Sequence, residues 1–132
     1  MRPRSFRQVF GIVLAILPFY LLAGCGPERV RVLGDERAEG ARLFIDGTEV
    51  GRLGLSQDMR NVPAPPGADR GNLLGFFSVD GRELRMRRSW HDVMAVSDSG
   101  ETLRTRIFPR GEANALYFEF SSDSAWAMVI PY

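Results

Sequence analysis

The stretch ARLFIDGTEVGRL, residues 41–53, decides the fold. Two runs of apolar and β-branched residues lie on either side of the pair Asp46-Gly47. A two-residue type I′ turn requires positive φ at both central positions, which an Asp-Gly pair adopts at low cost. The stretch therefore predicts a β-hairpin whose strands cover residues 42–45 and 48–53.

Short alternating runs separated by turn residues continue on both sides of this hairpin. Val30 and Val32 alternate with arginines and indicate either a first strand or an extended linker. The prolines and glycines within residues 54–72 predict a loop. A second pair, Asp80-Gly81, predicts another hairpin. Its strands are expected at 74–79 and 82–87, and further strands at 91–96, 101–108, 116–120 and 126–130.

No run after Gly26 combines a helical period with capping residues. About seven or eight short strands with frequent turn signals instead predict an all-β domain. The expected architecture is a small antiparallel β-sandwich or barrel. A single N-terminal signal helix is expected to precede it.

The first 24 residues have the composition of an export signal. Three arginines and no acidic residue lie within residues 1–7, and a nearly uncharged apolar run covers Val9 to Leu22. This run is shorter than the roughly 20 residues that cross a bilayer as a helix. Residues 1–24 are therefore predicted to be a cleaved signal peptide.

The apolar run ends in Leu22, Ala23, Gly24 and Cys25, the only cysteine. These four residues resemble the recognition box of bacterial lipoprotein signal peptides. The resemblance implies lipid attachment at Cys25, recognition by signal peptidase through Leu22, Ala23 and Gly24, and acylation of the new amino terminus. The alternatives are an uncleaved helix with a structural cysteine, or an ordinary secretory signal that leaves a free thiol.

Lipidation would decide the location of the protein. Several acyl chains hold a small domain on a membrane far more firmly than one chain does. The predicted location is therefore the bacterial cell envelope, as a membrane-anchored lipoprotein. Gly26 occupies the position where some bacteria use an aspartate to retain lipoproteins at the inner membrane, which favours the outer membrane.

Composition limits the function of the mature chain. Removal of the signal leaves 108 residues, enough for one domain, with 14 arginines against 16 acidic residues. The resulting net charge of −2 removes the support that a basic chain gives to nucleic-acid binding. With His91 as the only histidine and the cysteine lipidated, we predict no metal site and no cofactor.

The run AEGARLFIDGTEVG, residues 38–51, resembles the opening of a PEGA-type domain, a small β module of bacterial surface and envelope proteins. Its remaining strands and its Pro-x-Gly turn resemble HDVMAV at 91–96, PRG at 109–111 and LYF at 116–118. The resemblance implies a sandwich-like module over 38–132 that binds or presents rather than catalyses. Residues 54–88 would be an insertion, and residues 25–37 a lipidated N-terminus and tether.

Ser89, His91 and Asp92 are the residue types of a nucleophile, a base and an orienting acid. Neighbours on an extended strand point to opposite faces, so these three are not expected to form a relay. We interpret His91 as a residue that caps or borders a strand, and Asp92 as a solvated acid. No catalytic residue and no enzyme activity are predicted.

Arg82, Arg85, Arg87 and Arg88 form the densest positive group of the mature chain. Arginines bind phosphate or carboxylate bidentately, so lipid headgroups or acidic polysaccharide are candidate anionic ligands. Alternating arginines are also typical of the solvent face of a strand, where charge discourages aggregation. The solvent-face interpretation is favoured.

The adjacent aromatic pairs Phe76-Phe77 and Tyr117-Phe118 must divide between the two faces of their strands, so one ring of each pair is a surface candidate. Together the features predict an envelope lipoprotein with a structural or interaction β domain and an envelope protein or polysaccharide as partner. The alternative is a carbohydrate- or cell-wall-binding module, which predicts an exposed aromatic patch rimmed by arginines. A hydrolase of unknown class is the third interpretation.

Overall fold

A computed structural model describes residues 26–59 and 72–130. These residues form an all-β fold, as the sequence predicts, and the expected signal helix lies outside them. The strands, numbered in chain order, are β1 (Glu28–Gly34), β2 (Arg42–Ile45), β3 (Thr48–Asp58), β4 (Gly75–Val79), β5 (Leu84–Met86), β6 (His91–Val96), β7 (Thr102–Ile107), β8 (Ala113–Glu119) and β9 (Ser124–Ile130).

The strands form one sheet that curls until it is nearly closed. Its order is β7-β6-β2-β3-β4-β1-β8-β9, and β5 also pairs with β1. The outermost strands of this order, β7 and β9, pack side by side, but their described residues make no backbone pairing. Alternate side chains of each strand therefore enclose one core, while the others face outward.

The first hairpin is confirmed. β2 pairs antiparallel with β3, and Asp46 and Gly47 have φ of 51° and 83°, as a type I′ turn requires. β3 is longer than predicted, since it continues to Asp58 within the segment interpreted as a loop, and this extension pairs with β4. Residues 60–71 of that predicted loop lie outside the described chain.

The second predicted hairpin is wrong in its strand pairing. Asp80 and Gly81 adopt the expected turn, with φ of 50° and 74°, and Val79 and Arg82 exchange backbone hydrogen bonds. β5 then pairs with the first half of β1, whereas β4 pairs with the second half. The two short strands thus share one edge of β1, because β4 ends before it can pair along the whole of that edge.

β1 occupies the middle of the sheet, although its residues fall in the segment predicted as a tether. One edge pairs with β4 and β5, and the other pairs with β8. The β8 pairing is parallel, which departs from the antiparallel sheet predicted and joins the first strand to the penultimate one. The segment 54–88, predicted as an insertion, supplies another inner strand, since β4 lies between β3 and β1.

Neighbouring residues of the strands alternate between the buried core and the outer face, as the sequence pattern predicts. Phe77 and Phe118 point inward and are buried, whereas their neighbours Phe76 and Tyr117 are half-buried on the outer face. The inward positions of β5, β6 and β7 follow the same rule. The largest fully buried side chains include Phe118, Leu43, Leu53, Ile107, Leu116, Val30, Val32 and Val93.

A buried carboxylate joins the end of β1 to the turn after β8. Asp35 Oδ2 accepts hydrogen bonds from the Ser121 amide at 2.8 Å and from the Ser121 hydroxyl at 2.9 Å. The Asp35 amide donates to the Phe118 carbonyl at 3.2 Å. These bonds continue the β1–β8 connection beyond the last paired residues of the two strands.

Truncation of Phe118 tests this assignment of the core. Phe118→Ala removes a fully buried ring and leaves a cavity, so the free energy of unfolding should fall by about 3–5 kcal/mol. Urea denaturation followed by circular dichroism measures the change. Met128→Ala is the control on the exposed face of β9 and should change the same quantity by less than about 0.5 kcal/mol. Similar losses in both variants would contradict the assignment.

Candidate functional site

The predicted lipidation residues Leu22, Ala23, Gly24 and Cys25 lie outside the described chain, so lipid attachment stays a prediction. β1 begins at Glu28, three residues after the cysteine. Three residues of extended chain span at most about 11 Å. A lipid on Cys25 would therefore hold the start of β1 close to the membrane surface.

Two strand ends bring His91 and Asp46 together. Asp46 is the first turn residue after β2, and His91 is the first residue of β6. β2 and β6 are antiparallel neighbours, with Ile45 opposite Val93, so the end of one strand lies beside the start of the other. Strand pairing thus places a carboxylate next to the only imidazole of the chain.

Three polar groups contact the imidazole ring of His91. Its Nδ1 atom lies 2.7 Å from Asp46 Oδ2, and its Nε2 atom lies 3.1 Å from Ser89 Oγ and 2.9 Å from the Arg87 carbonyl oxygen. The other carboxylate oxygen of Asp46 accepts a 3.0 Å hydrogen bond from the Asp92 amide. The His91 side chain is only 12% exposed, so these partners replace most of its contact with water.

Ser89, His91 and Asp46 have the spacing of a nucleophile, base and acid, but the ring nitrogens of the base are occupied. The Asp46 carboxylate and the Arg87 carbonyl are both acceptors, and each can accept a hydrogen bond from the ring nitrogen that it faces. These contacts hold the ring between the turn after β2 and the segment that precedes β6. The arrangement therefore links β2 to β6.

The hydrogen bond between His91 and Asp46 lowers the pKa of the Asp46 carboxyl group. Its pKa is lowered from 3.8, first by the hydrogen bond with His91 and then by the hydrogen bond from the Asp92 amide. Both bonds favour the charged carboxylate over the protonated one. Asp46 is thus an ionised partner for the ring throughout the neutral range.

The position of His91 agrees with its interpretation as a residue that borders a strand, and Asp92 is an exposed acid, as predicted. Asp92 pairs with Arg106 at 3.0 Å instead of contacting the ring. The pairing of His91 with Asp46 was not predicted, because the two residues are 45 positions apart. The sequence placed Asp46 in a turn, but a turn does not show which other strand will lie beside the hairpin that it closes.

The four arginines predicted as an anionic-ligand patch are all exposed but are not equally free. Arg85 and Arg88 each pair with a glutamate, at 2.9 Å and 2.6 Å. Within the described ranges, Arg82 and Arg87 make no ion pair. Half of the predicted positive charge is thus matched by an acidic neighbour, as on an ordinary solvent face, and ligand binding by the four stays a prediction.

An exposed group of aromatic and basic side chains lies at the start of β6. Trp90 is 61% exposed, and its ring meets that of Phe108 edge to face with centroids 5.7 Å apart. Arg106 lies over the Trp90 ring at 5.0 Å, and Arg110 over the Phe108 ring at 5.5 Å, which are cation–π distances. We call these four residues the aromatic-arginine cluster. The binding alternative predicts a surface of this kind.

A second aromatic surface, the β8–β9 strip, consists of Tyr117, Trp126, Met128 and Ile130. The rings of Tyr117 and Trp126 stack nearly parallel, with centroids 4.9 Å apart. Met128 and Ile130 follow on the same face of β9 and are exposed. Because the two rings stack on one another, one face of each ring is covered, and the strip is an exposed apolar surface.

The described residues were searched for a metal site and a membrane-spanning helix, and the chain was compared with known proteins. Within the described ranges, no group of three or more His, Cys, Asp or Glu residues is arranged to hold a metal ion. Nor does that part of the chain contain a helix long and apolar enough to cross a membrane. Comparisons with protein families, characterised proteins and solved structures found no match.

Replacement of Asp46 by asparagine tests the link to His91. Because its pKa is lower in the folded than in the unfolded state, Asp46 stabilises the fold fully above about pH 4, and this contribution is lost as pH falls through the lowered value. Asp46→Asn should therefore lower the thermal midpoint at neutral pH, and its difference from wild type should shrink below about pH 4. Circular dichroism melts across this range measure the difference.

A double-mutant cycle with His91→Asn is the control. At neutral pH the two substitutions together should cost less stability than the sum of the single changes, because each single change already removes the shared hydrogen bond. This coupling should fade in acid along with the effect of Asp46→Asn. A penalty for Asp46→Asn that is the same in acid as at neutral pH would show that the carboxylate is not stabilised in its charged form.

Proposed function

We propose that this chain is a bacterial envelope lipoprotein, anchored through Cys25, whose β domain is a non-catalytic structural or interaction module. The observation that carries the proposal is the box from Leu22 to Cys25, directly after an arginine-led apolar run. The start of the sheet supports it, since β1 begins only three residues beyond the proposed cleavage and lipidation point. The outer membrane is the favoured location.

The proposed finer fold is a sandwich-like module of the PEGA type. Its support is the run 38–51, which contains the β2–β3 hairpin and its Asp-Gly turn. β6 and β8 occupy the later stretches that resemble the family. In this proposal β1, β4 and β5 extend the module, and they do so by joining its sheet.

A non-catalytic role is supported by the contacts of His91. Its two ring nitrogens already face an acidic side chain and a backbone carbonyl, so the only histidine has a structural task. The outer-face depression that includes Asp46 is lined by neither Ser89 nor His91. A substrate bound in that depression would not meet the serine and the ring together.

Carbohydrate or cell-wall binding is the second candidate, and the aromatic rows on the outer face favour it. In the strand register, Leu33 lies opposite both Phe76 and Tyr117, and Tyr117 lies opposite Trp126. The three aromatic residues therefore lie in one row across β4, β8 and β9, and the buried Leu33 of β1 interrupts this row. Arg31 lies over the Phe76 ring at 5.5 Å and adds a hydrogen-bond donor at its border. A pyranose ring would stack on the ring faces of this row that no neighbouring side chain covers.

Replacement of Cys25 tests the lipoprotein proposal. In a bacterial host, the wild-type chain should be found in the membrane fraction as a product that begins at residue 25 and carries acyl mass. Cys25→Ala should lose the acyl mass and leave the membrane fraction, because the lipid supplies the stable attachment. Gly26→Ala is the control and should remain lipidated. Intact mass spectrometry decides, and acyl mass on the Cys25→Ala product would refute the proposal.

Replacement of Trp126 tests the second candidate. Residues 26–132 without lipid should bind glycans on an array or cell-wall polysaccharide in a pull-down, and Trp126→Ala should weaken that binding about tenfold or more. Val50→Ala changes an exposed apolar residue outside the row and outside the aromatic-arginine cluster, and it should leave the affinity unchanged. Absence of any glycan binding by the wild-type chain, or equal losses in the two variants, would eliminate this role for the row.

A further inference from the structure

The aromatic-arginine cluster lies beside the start of β1. The guanidinium of Arg88, two residues before Trp90, donates to Glu28, the first residue of β1, at 2.6 Å. Asn114 accepts a hydrogen bond from the Arg110 amide at 3.1 Å and donates one, also at 3.1 Å, to the carbonyl of the second residue of β1. Two separate contacts therefore connect the cluster to the point where the chain enters the sheet.

The loop that carries Arg110 is held firmly against the end of β9. Its neighbours Pro109 and Gly111 are buried, and the Gly111 amide donates to Asn114 Oδ1 at 3.2 Å. A Cβ atom on Gly111 would lie 2.0 Å from the Ile130 carbonyl oxygen, so only glycine allows this approach. The Ile130 side chain is 49% exposed and adds an apolar group to the same end of the sheet.

The chemistry of this surface matches the boundary between lipid headgroups and water. Tryptophan is enriched at that boundary, because its ring is apolar and its N–H remains able to donate. Arginine is attracted by the negative potential of anionic lipids and binds phosphate bidentately. In the aromatic-arginine cluster both residue types are exposed side by side at one end of the sheet.

We infer that this end of the domain lies directly on an anionic bilayer surface. Trp90 and Ile130 enter the headgroup region, and Arg87 and Arg110 contact lipid phosphates. The inference rests on the proposed lipid anchor, which would hold the start of β1 within about 11 Å of Cys25. A connection that short keeps the domain against the membrane and presents the end that carries the aromatic-arginine cluster.

The electrostatic attraction is local and modest. Arg87 and Arg110 make no ion pair within the described ranges, whereas Arg106 already pairs with Asp92. The exposed carboxylate of Glu112 lies in the same loop region and offsets part of the positive charge. Each arginine near an anionic surface contributes about a fivefold factor to binding. Because the anchor supplies a high effective concentration, such factors are sufficient to orient the domain.

Fluorescence of single-tryptophan variants tests this orientation. The chain has only two tryptophans, so Trp126→Phe reports on Trp90 alone and Trp90→Phe reports on Trp126 alone. Each full-length gene is expressed in a bacterial host, and the lipidated product is reconstituted into vesicles of phosphatidylglycerol and phosphatidylcholine brominated high in the acyl chain. Trp90 should be quenched at least about threefold more strongly than Trp126, with its emission shifted to shorter wavelength.

Charge reversal identifies the arginines involved. Arg87→Glu/Arg110→Glu in the Trp126→Phe background should remove most of the quenching of Trp90. Arg31→Glu/Arg104→Glu is the matched control, because it changes two exposed arginines elsewhere and gives the same net charge. The control should keep the quenching. In vesicles of phosphatidylcholine alone, the quenching of Trp90 should fall even without substitutions.

Intact mass and vesicle flotation test the lipoprotein proposal separately from the orientation of the domain on the bilayer. If the protein carries acyl mass and floats with vesicles but Trp90 is quenched no more than Trp126, the orientation is overturned and the lipoprotein proposal stands. If the two charge-reversed variants lose quenching equally, the assignment to Arg87 and Arg110 is overturned. If Cys25 carries no acyl mass, the lipoprotein proposal fails, and the orientation that depends on it fails with it.

Discussion

The structure depends on the pairing of β1 along both of its edges. A strand inside a sheet must have partners for its amides and carbonyls on each side, because buried backbone groups without partners are costly. β8 satisfies one edge, and β4 and β5 divide the other. This requirement explains why β5 departs from β4 after a turn that would otherwise make a hairpin. It also brings the first and penultimate strands together, so the sheet has to curl and its outermost strands meet.

Local sequence patterns predict the turns and the alternation of buried and exposed residues. Competition between distant strands decides which strands pair. Asp46-Gly47 and Asp80-Gly81 both form the turns that their chemistry favours, since those φ values depend on the residues themselves. Only the first turn is followed by a long hairpin, because β5 finds a better-placed partner in β1, and nothing within residues 74–87 contains that information. Alternation correctly predicted that each aromatic pair divides between the two faces, since this requires only the period of a strand, but it did not identify which ring is buried. The position of β1 was not predictable, because its partner β8 lies near the other end of the chain.

The same distinction applies to the candidate sites. The predicted lipidation box is a contiguous motif that can be proposed without knowledge of the fold, whereas the partner of His91 depends on which strands become neighbours. The aromatic-arginine cluster combines Trp90, which precedes β6, with residues at the end of β7 and just after it, and the antiparallel pairing of those strands brings them together. Exposure of Trp90 could not be predicted either, since most tryptophans are core residues. The aromatic-arginine cluster and the β8–β9 strip both lie on the exposed side of the residues that the structure describes.

The parallel connection between β1 and β8 also has a consequence for biosynthesis. A chain that crosses a membrane with its N-terminus first delivers β1 early and β8 late, so one edge of β1 stays unpaired until most of the domain has emerged. Contacts of this sequence separation form slowly, and an open strand edge can pair with other chains while it waits. An early lipid attachment would hold each such chain at the membrane and limit its encounters in solution. For the proposed lipid-anchored chain, the order of the strands would thus give membrane retention a second value, as protection during the interval between export and completion of the sheet.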